Sequence, residues 1–335
     1  MTYGIHVKEY HKNGLQLHDF QGLGDYAEAG LLATELALER AEQALNQGQI
    51  PVAGAAVARQ KNGRLKIISV GNNGRIPGAP DAHGYPTDHG ETAAIRKIGD
   101  VGSVDWSPVV FATTLSPCIM CNRSLRYLHS LGLNKITCAT GQAKGFAGTI
   151  TQFQALGFQV VSLDVQKGVE LMQAFADKYP WDWAADIGEI PPAHAEELAA
   201  LPVNPMQLRH LIEQALASIH PRAERYPLAA LVVDDRGRVI GQAADERDQV
   251  SGNPAFSSLM LAMGRAGSAV NLRDCLVLIG MRGVAGEIGL EEFGHASLGA
   301  CELFRPAWVV SNLPLSREIG ATLNAAHVKI RNLSK

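Results

Sequence analysis

The chain reads as an α/β protein, a three-layer α/β/α sandwich with helices on both faces of a mixed sheet, and the unit is duplicated along the sequence. Three observations lead there. Segments with apolar residues at helical spacing alternate with short β-branched runs, the order expected of a sheet with helices packed on it. That order breaks at a proline-bounded stretch, residues 190–204, and then starts again. The length of 335 residues also exceeds the roughly 100–200 residues of one typical domain.

Residues 1–28 are Gly-rich and without a period, an extension wrapped on the first domain. From Glu28 onward Leu31, Leu32, Leu36, Leu38, Ala41 and Leu45 recur near helical spacing, and Gly48 stops that helix. Residues 52–59 and 65–71 make a hairpin about Lys61-Asn62-Gly63, Asn-Gly being a strong turn signal. A Gly/Pro/Asp-rich loop fills 74–88. A helix over 89–98, a strand over 109–114, a helix over 118–131 and strands over 135–139 and 159–163 follow, then a helix over 168–178. Beyond the linker come a helix over 206–219 and a hairpin of 228–234 with 238–242 about Asp235-Arg236-Gly237. A helix over 255–264, a strand over 275–281, a helix over 296–304 and strands over 307–311 and 327–332 complete the chain. The matching order predicts domains at 1–189 and 205–335 joined by 190–204; an unrelated second α/β domain is the alternative.

Hydrophobic residues make up 46% and charged residues 19%, an ordinary globular balance. The net charge of −3, from 30 basic and 33 acidic residues without a basic block, argues against a nucleic-acid partner. Residues 1–17 carry His, Lys and Glu among their apolar residues, so no signal-peptide core is read there, and no run approaches a membrane span. The cysteines (Cys118, Cys121, Cys138, Cys275, Cys301) are few and odd in number. That pattern predicts metal or redox chemistry in the cytoplasm rather than a disulfide scaffold.

Two short segments carry the chemistry: His89-Gly90-Glu91 and Ser116-Pro117-Cys118-Ile119-Met120-Cys121. Cys118 and Cys121, three apart at a helix start, share one face of its first turn. Ser116 suits the cap of that helix and Pro117 its first position. The positive helix end favours thiolates there. His89, opening another helix, adds an imidazole. Two thiolates and one imidazole are the three ligands of a catalytic zinc with its fourth position open, whereas a structural zinc wants a fourth Cys or His. Glu91, two residues past His89, is too close to serve as a further ligand and is placed to move protons. A redox pair is the competing reading of a lone Cys-x-x-Cys, and the accompanying His-x-Glu argues against it. His83 reads as a solvated loop histidine and Cys138 as a small core residue.

Together these segments resemble the H-x-E…P-C-x-x-C signature of the zinc deaminases, the cytidine-deaminase superfamily. The run from Thr113 to Cys121 is similar to the catalytic helix start of yeast-type cytosine deaminase. So is the tail Pro180-Trp181-Asp182-Trp183-Ala184-Ala185-Asp186-Ile187-Gly188-Glu189, which in that family forms a lid helix. The resemblance spans roughly residues 28–189. It implies a cytidine-deaminase-like fold and zinc-dependent deamination of a small nucleobase-like heterocycle, with Zn2+ on His89, Cys118 and Cys121. On the substrate side it implies that Asn73, the Gly90 amide and Ser116 hold the polar edge of the base. Phe146 stacks on the ring, Trp183 and Ile187 close the lid, and Asp186 accepts from the departing amine. The 74–88 loop is longer than that family's, and the segment 89–97 has a guanine-deaminase character, so guanine or a pterin stands as the alternative to cytosine. A tRNA substrate ranks below both.

The second half lacks these groups. Its helix start reads Asn253-Pro254-Ala255-Phe256-Ser257, the next Gly294-His295-Ala296-Ser297, and Cys301 stands alone. His295 is expected to be a cap or surface group. The expectation is a metal-free copy packed on the first as an intrachain pseudo-dimer, with further homodimerisation open.

Overall fold

The computed structural model describes residues 13–79, 82–140, 149–189, 203–219, 225–268, 270–283 and 286–333. The first half follows from small residues in its central strand. Strand β1 (Ala53–Arg59) begins Ala-Gly-Ala-Ala, and those residues are buried on both faces, so helices lie close on either side. Helix α1 (Ala27–Asn46) covers one face with Leu31, Leu32 and Leu38 against Ala55, Val57 and Val110. Gly48, at φ +72°, turns the chain out of it. Ahead of α1 a 3-10 helix, Leu17–Tyr26, buries Phe20 and Leu23 in the same layer, so the described part of the N-terminal extension packs on this half.

Strand β2 (Leu65–Asn72) pairs antiparallel with β1 through the expected turn, with a register shift between Ala56 and Val57. Helix α2 (Gly90–Ile98), β3 (Val109–Thr113), α3 (Ile119–Ser130) and β4 (Lys135–Cys138) follow. Then come α4 (Thr149–Ala155), β5 (Gln159–Ser162), α5 (Gln166–Lys178) and α6 (Pro180–Asp186). The sheet order is β2-β1-β3-β4-β5, with β1 antiparallel to both neighbours and β3, β4 and β5 parallel. On the second face Ala94, Ile95 and Leu125 of α2 and α3 meet Ala56, Phe111 and Ile136.

The second half repeats this plan. It comprises α7 (Pro205–Ala217), β6 (Leu228–Val233), β7 (Val239–Ala244), α8 (Ser258–Ala266) and β8 (Leu276–Met281). After these come α9 (Leu290–Phe293), α10 (His295–Phe304), β9 (Trp308–Ser311), α11 (Arg317–Ala325) and β10 (Lys329–Asn332). Its sheet runs β7-β6-β8-β9-β10 with the same strand senses, and even the register shift recurs, between Val232 and Val233. Two mixed five-stranded sheets with helices on both faces give the duplicated α/β/α sandwich that the sequence predicts, with its two halves alike.

The halves share one core. Met120 and Phe175 from the first join Met260, Leu298 and Phe304 from the second in a single apolar cluster. Gly299 lets α10 lie on α3: a Cβ there would come within 2.7 Å of the Met120 Cα. Arg123 Nε donates to Glu302 Oε2 at 2.6 Å across the same seam. Asn253 Nδ2 donates to the carbonyls of Ile95 (3.0 Å) and Gly99 (2.8 Å).

Two expectations change. The helix expected over 255–264 is a 3-10 turn, Pro254–Phe256, followed by α8, because the Asn253 side chain caps the turn at Ala255 N and Ser257 then starts a new helix in extended backbone. Helix α11 has no counterpart in the sequence reading, since it buries only Ile319 and Leu323. Of the linker expected at 190–204, residues 190–202 lie outside the described residues. No helix among the described residues is long and apolar enough to cross a membrane.

Candidate metal centre and active site

Gly90 sets the geometry of the first helix start. A Cβ there would lie 2.5 Å from Ala53 Cα and 2.6 Å from Val52 O, so only glycine lets α2 begin on top of β1. His89, the N-cap in extended backbone, and Glu91 are thereby fixed against the sheet. Helix α3 begins at Ile119 with Cys118 as its N-cap and Cys121 in its first turn. The expected Ser116 cap is corrected here. The helix starts later, no side chain caps it, and Ser116 Oγ lies 3.7 Å from Cys138 Sγ instead. With Cys118 at the N-cap, its sulfur turns toward His89.

The ligand atoms of His89, Cys118 and Cys121 lie within 4.8 Å of one another, and all three residues are buried. They are the one such group among the described residues. Cys118 Sγ and His89 Nδ1 are 3.3 Å apart. Two sulfurs and one imidazole nitrogen at this spacing fit a zinc ion, whose bonds to them run about 2.0–2.3 Å. The far side of the ring fits too. His89 Nε2 is buried with no hydrogen bond, and Asp186 Oδ1 faces it at 3.4 Å, the carboxylate that an Nδ1-ligating histidine needs to hold its other N–H.

The electrostatics of the metal-free centre follow from burial and close charges. Burial alone would lower the His89 pKa, but Asp186 and then Cys118 outweigh it and lift it to about 9. Cys118 is held well below the ordinary thiol range, against burial, by the Cys121 thiol and by His89. Burial first, and the Cys118 charge second, push Glu91 up. Glu91 Oε1 and Thr113 Oγ1 are 2.7 Å apart, and the same hydroxyl is 2.7 Å from Leu115 O. Thr113 has one hydrogen, so it donates to Glu91 when that group is ionised and accepts from it when protonated. The pair is built to tolerate both states of Glu91.

The remaining predicted residues gather on the other side. Asn73 Nδ2 donates to Asp186 Oδ1 at 2.8 Å, and its Oδ1 accepts from Arg75 N at 3.0 Å. Asp186 ends α6, and Trp183 and Ile187 pack into the core shared by the halves. Val52, Leu115 and Ile187 form the apolar side of a cavity whose polar side is His89, Glu91, Ser116, Cys118 and Asp186. Its volume of about 10 Å³ is about that of one water, and Asp186 at the end of α6 with Ile187 just after it covers one side. Phe146 lies outside the described residues. His83, half-exposed, is engaged by Asp88 at 2.9 Å, away from the cluster.

Several residues here carried no sequence signal. Thr113 is an ordinary strand residue until the fold brings it to Glu91. Phe304, from the second half, stands edge-on to His89 with ring centroids 6.4 Å apart, and Arg75 lies over it at 5.8 Å. Arg273 Nη2 donates to Gly188 O at 3.1 Å, holding the residues just after the lid.

Residues 30–140 match the model of the cytidine and deoxycytidylate deaminase zinc-binding region. The match and the His89–Cys118–Cys121 cluster inside it support a zinc-binding hydrolytic deaminase of the cytidine-deaminase superfamily, with the centre in the first half of the chain. Among its relatives, the cytosine deaminase of Candida albicans is 28% identical over 155 residues, which cover 46% of this chain and 94% of that protein. A solved guanine deaminase from Nitrosomonas europaea is 18% identical, covering 52% of this chain and 100% of its own, with a TM-score of 0.30. A structure from work on A-to-I editing by tRNA:A34 deaminases is 22% identical, covering 41% and 96%, with a TM-score of 0.31.

Proposed function

We propose that the chain hydrolyses the exocyclic C–N bond of a small aminated heterocycle, a cytosine-like pyrimidine, and releases ammonia. The observation that carries this reading is the lid. Asp186 of α6 faces His89 at 3.4 Å and lines the small cavity beside the cluster together with Ile187, a cover that favours a small free base over a polymer. The cytosine deaminase relative and the absence of a basic block lean the same way.

Bound zinc supplies a Lewis acid and lets water act as a nucleophile at neutral pH. Glu91 takes a proton from the attacking water, delivers it to the ring nitrogen, and afterwards passes a proton to the amine as the C–N bond breaks. Thr113 steadies Glu91 through both states. Asp186 accepts from the amine, while Asn73, Ser116 and the Gly90 amide hold the polar edge of the ring. Trp183 and Ile187 exclude water once α6 has closed. The boundaries 1–189 and 205–335 make the second half an intrachain partner that supports this lid, and the cytoplasm is its place of work.

Ammonia release from cytosine, guanine, a pterin, cytidine and tRNA, each at equal concentration, tests the reading. Turnover of cytosine above the others is expected. Preference for guanine or a pterin would move the assignment to a two-ring substrate, and preference for tRNA would overturn it.

A further inference from the structure

The repeat in the fold carries over to the second half's counterpart of the metal position. Asn73 N donates to Val52 O, and Asp245 N donates to Leu228 O on the same rung of the other sheet. Arg75 N donates to Asn73 Oδ1 at 3.0 Å, and Arg247 N to Asp245 Oδ1 at 3.1 Å. Ser257 is the N-cap of α8 as His89 is of α2, and Gly294 the N-cap of α10 as Cys118 is of α3. Ser297 then matches Cys121. The three side chains that would ligate are two serines, joined Oγ to Oγ at 2.8 Å, and a glycine.

A different cation stands beside them. A Cβ on Gly294 would lie 3.1 Å from Arg247 Nη1, 3.3 Å from Ser297 Oγ and 3.5 Å from Ser257 Cβ. The Arg247 guanidinium is buried, paired with Asp245 at 2.9 Å, bonded to the carbonyls of Glu291 and Glu292, and stacked 3.9 Å over the Tyr226 ring. In the catalytic half the lid residues cover the equivalent face: Gly188 sits against Leu303 of α10. Here the facing residue of α3 is Tyr127, and a cavity of about 260 Å³ remains open at the junction of the halves. Tyr127 and Ser130 form one wall, with Tyr226, Arg225, Arg247 and His295 opposite.

Two guanidinium groups and one imidazole line these walls. Arg225 engages Glu291 through Nε and Nη2, and Glu291 is the one acid of the lining. His295 Nδ1 is buried with no hydrogen bond. We propose that this cavity binds a small ligand bearing a carboxylate or phosphate group, which meets Arg247, Arg225 and His295. The volume, below the roughly 300–1,000 Å³ of sites for drug-sized molecules, limits the ligand to about one ring with one such group.

Isothermal titration of the zinc-loaded full chain with inorganic phosphate and, separately, with benzoate tests the site. Ser130 and Arg225 are exposed, so Ser130→Trp, which fills the mouth, and Arg225→Gln are expected to fold and keep their zinc. Saturable binding of one probe per chain is expected, lost in Ser130→Trp and weakened about tenfold in Arg225→Gln. Phosphate alone binding identifies a phosphate site, and benzoate alone a carboxylate on a ring. Failure of both probes to saturate below about 10 mM, or binding that survives Ser130→Trp, would overturn the proposal.

Discussion

Replacing Gly90 by alanine adds one methyl group at the point where the catalytic helix rests on the sheet. That methyl would fall 2.5 Å from Ala53 Cα, 2.6 Å from Val52 O and 2.7 Å from Ala53 N. All three are backbone atoms, so no rotamer change relieves the contact, and ordinary packing near 3.4 Å requires α2 to retreat by about 1 Å. Overpacking of this kind costs about 1–3 kcal/mol. Alanine's better helix propensity offsets at most about 1 kcal/mol. The chemistry suffers more, because a 1 Å displacement of His89 and Glu91 costs on the order of 10²-fold in rate. Urea unfolding and ammonia release on the purified variant measure both effects. Gly320→Ala is the control, since a Cβ there meets nothing within 4 Å inside α11, and it is expected to be neutral or slightly stabilising. A Gly90→Ala protein with wild-type stability and turnover would refute the close-approach argument.

Asp186→Ala removes the carboxylate facing His89 Nε2 and the partner of Asn73, so a loss of about 10–100-fold in zinc affinity or activity is expected, read by competition with a chelator and by turnover. Unchanged zinc affinity and rate would show that Asp186 orients nothing. The metal-free chain holds a proton on His89 up to about pH 9. Zinc must displace that proton and the one on Cys121, whose thiol is pushed well up by burial, so apparent affinity should rise with pH through about 9, with proton release seen in weakly buffered calorimetry. A chain ending after Glu189 uncovers Met120 and Phe175 from the core shared with the second half. It is expected to self-associate in sedimentation and lose most activity, and a monomeric, fully active fragment would contradict the shared core.

The sequence was most legible where the determining contacts are local. The hairpin about Asn62-Gly63 and the Cys118–Cys121 spacing depend on residues within one or two turns, and both are found as expected. His89 joins the cysteines only across the sheet, and the motif, rather than any periodicity, brought it into the reading. The helix break at Ser257 was missed because an Asn253 side-chain cap competes with continued helix, a choice that apolar spacing does not encode. Thr113 beside Glu91, Phe304 beside His89 and Arg273 on Gly188 were invisible for another reason. Their separations of 22, 215 and 85 residues are closed by tertiary packing, two of them by the docking of one half on the other.

Zinc content and ammonia release, measured side by side on the full chain and on Glu91→Gln, bear on the centre as a whole. The isosteric amide leaves His89, Cys118 and Cys121 untouched but cannot carry a proton. One zinc per chain in both proteins is expected, with release by the variant lower by about 10²–10⁴-fold or more. Two zincs per chain, or a Glu91→Gln protein that turns over substrate near the wild-type rate, would contradict a single metal centre worked by Glu91.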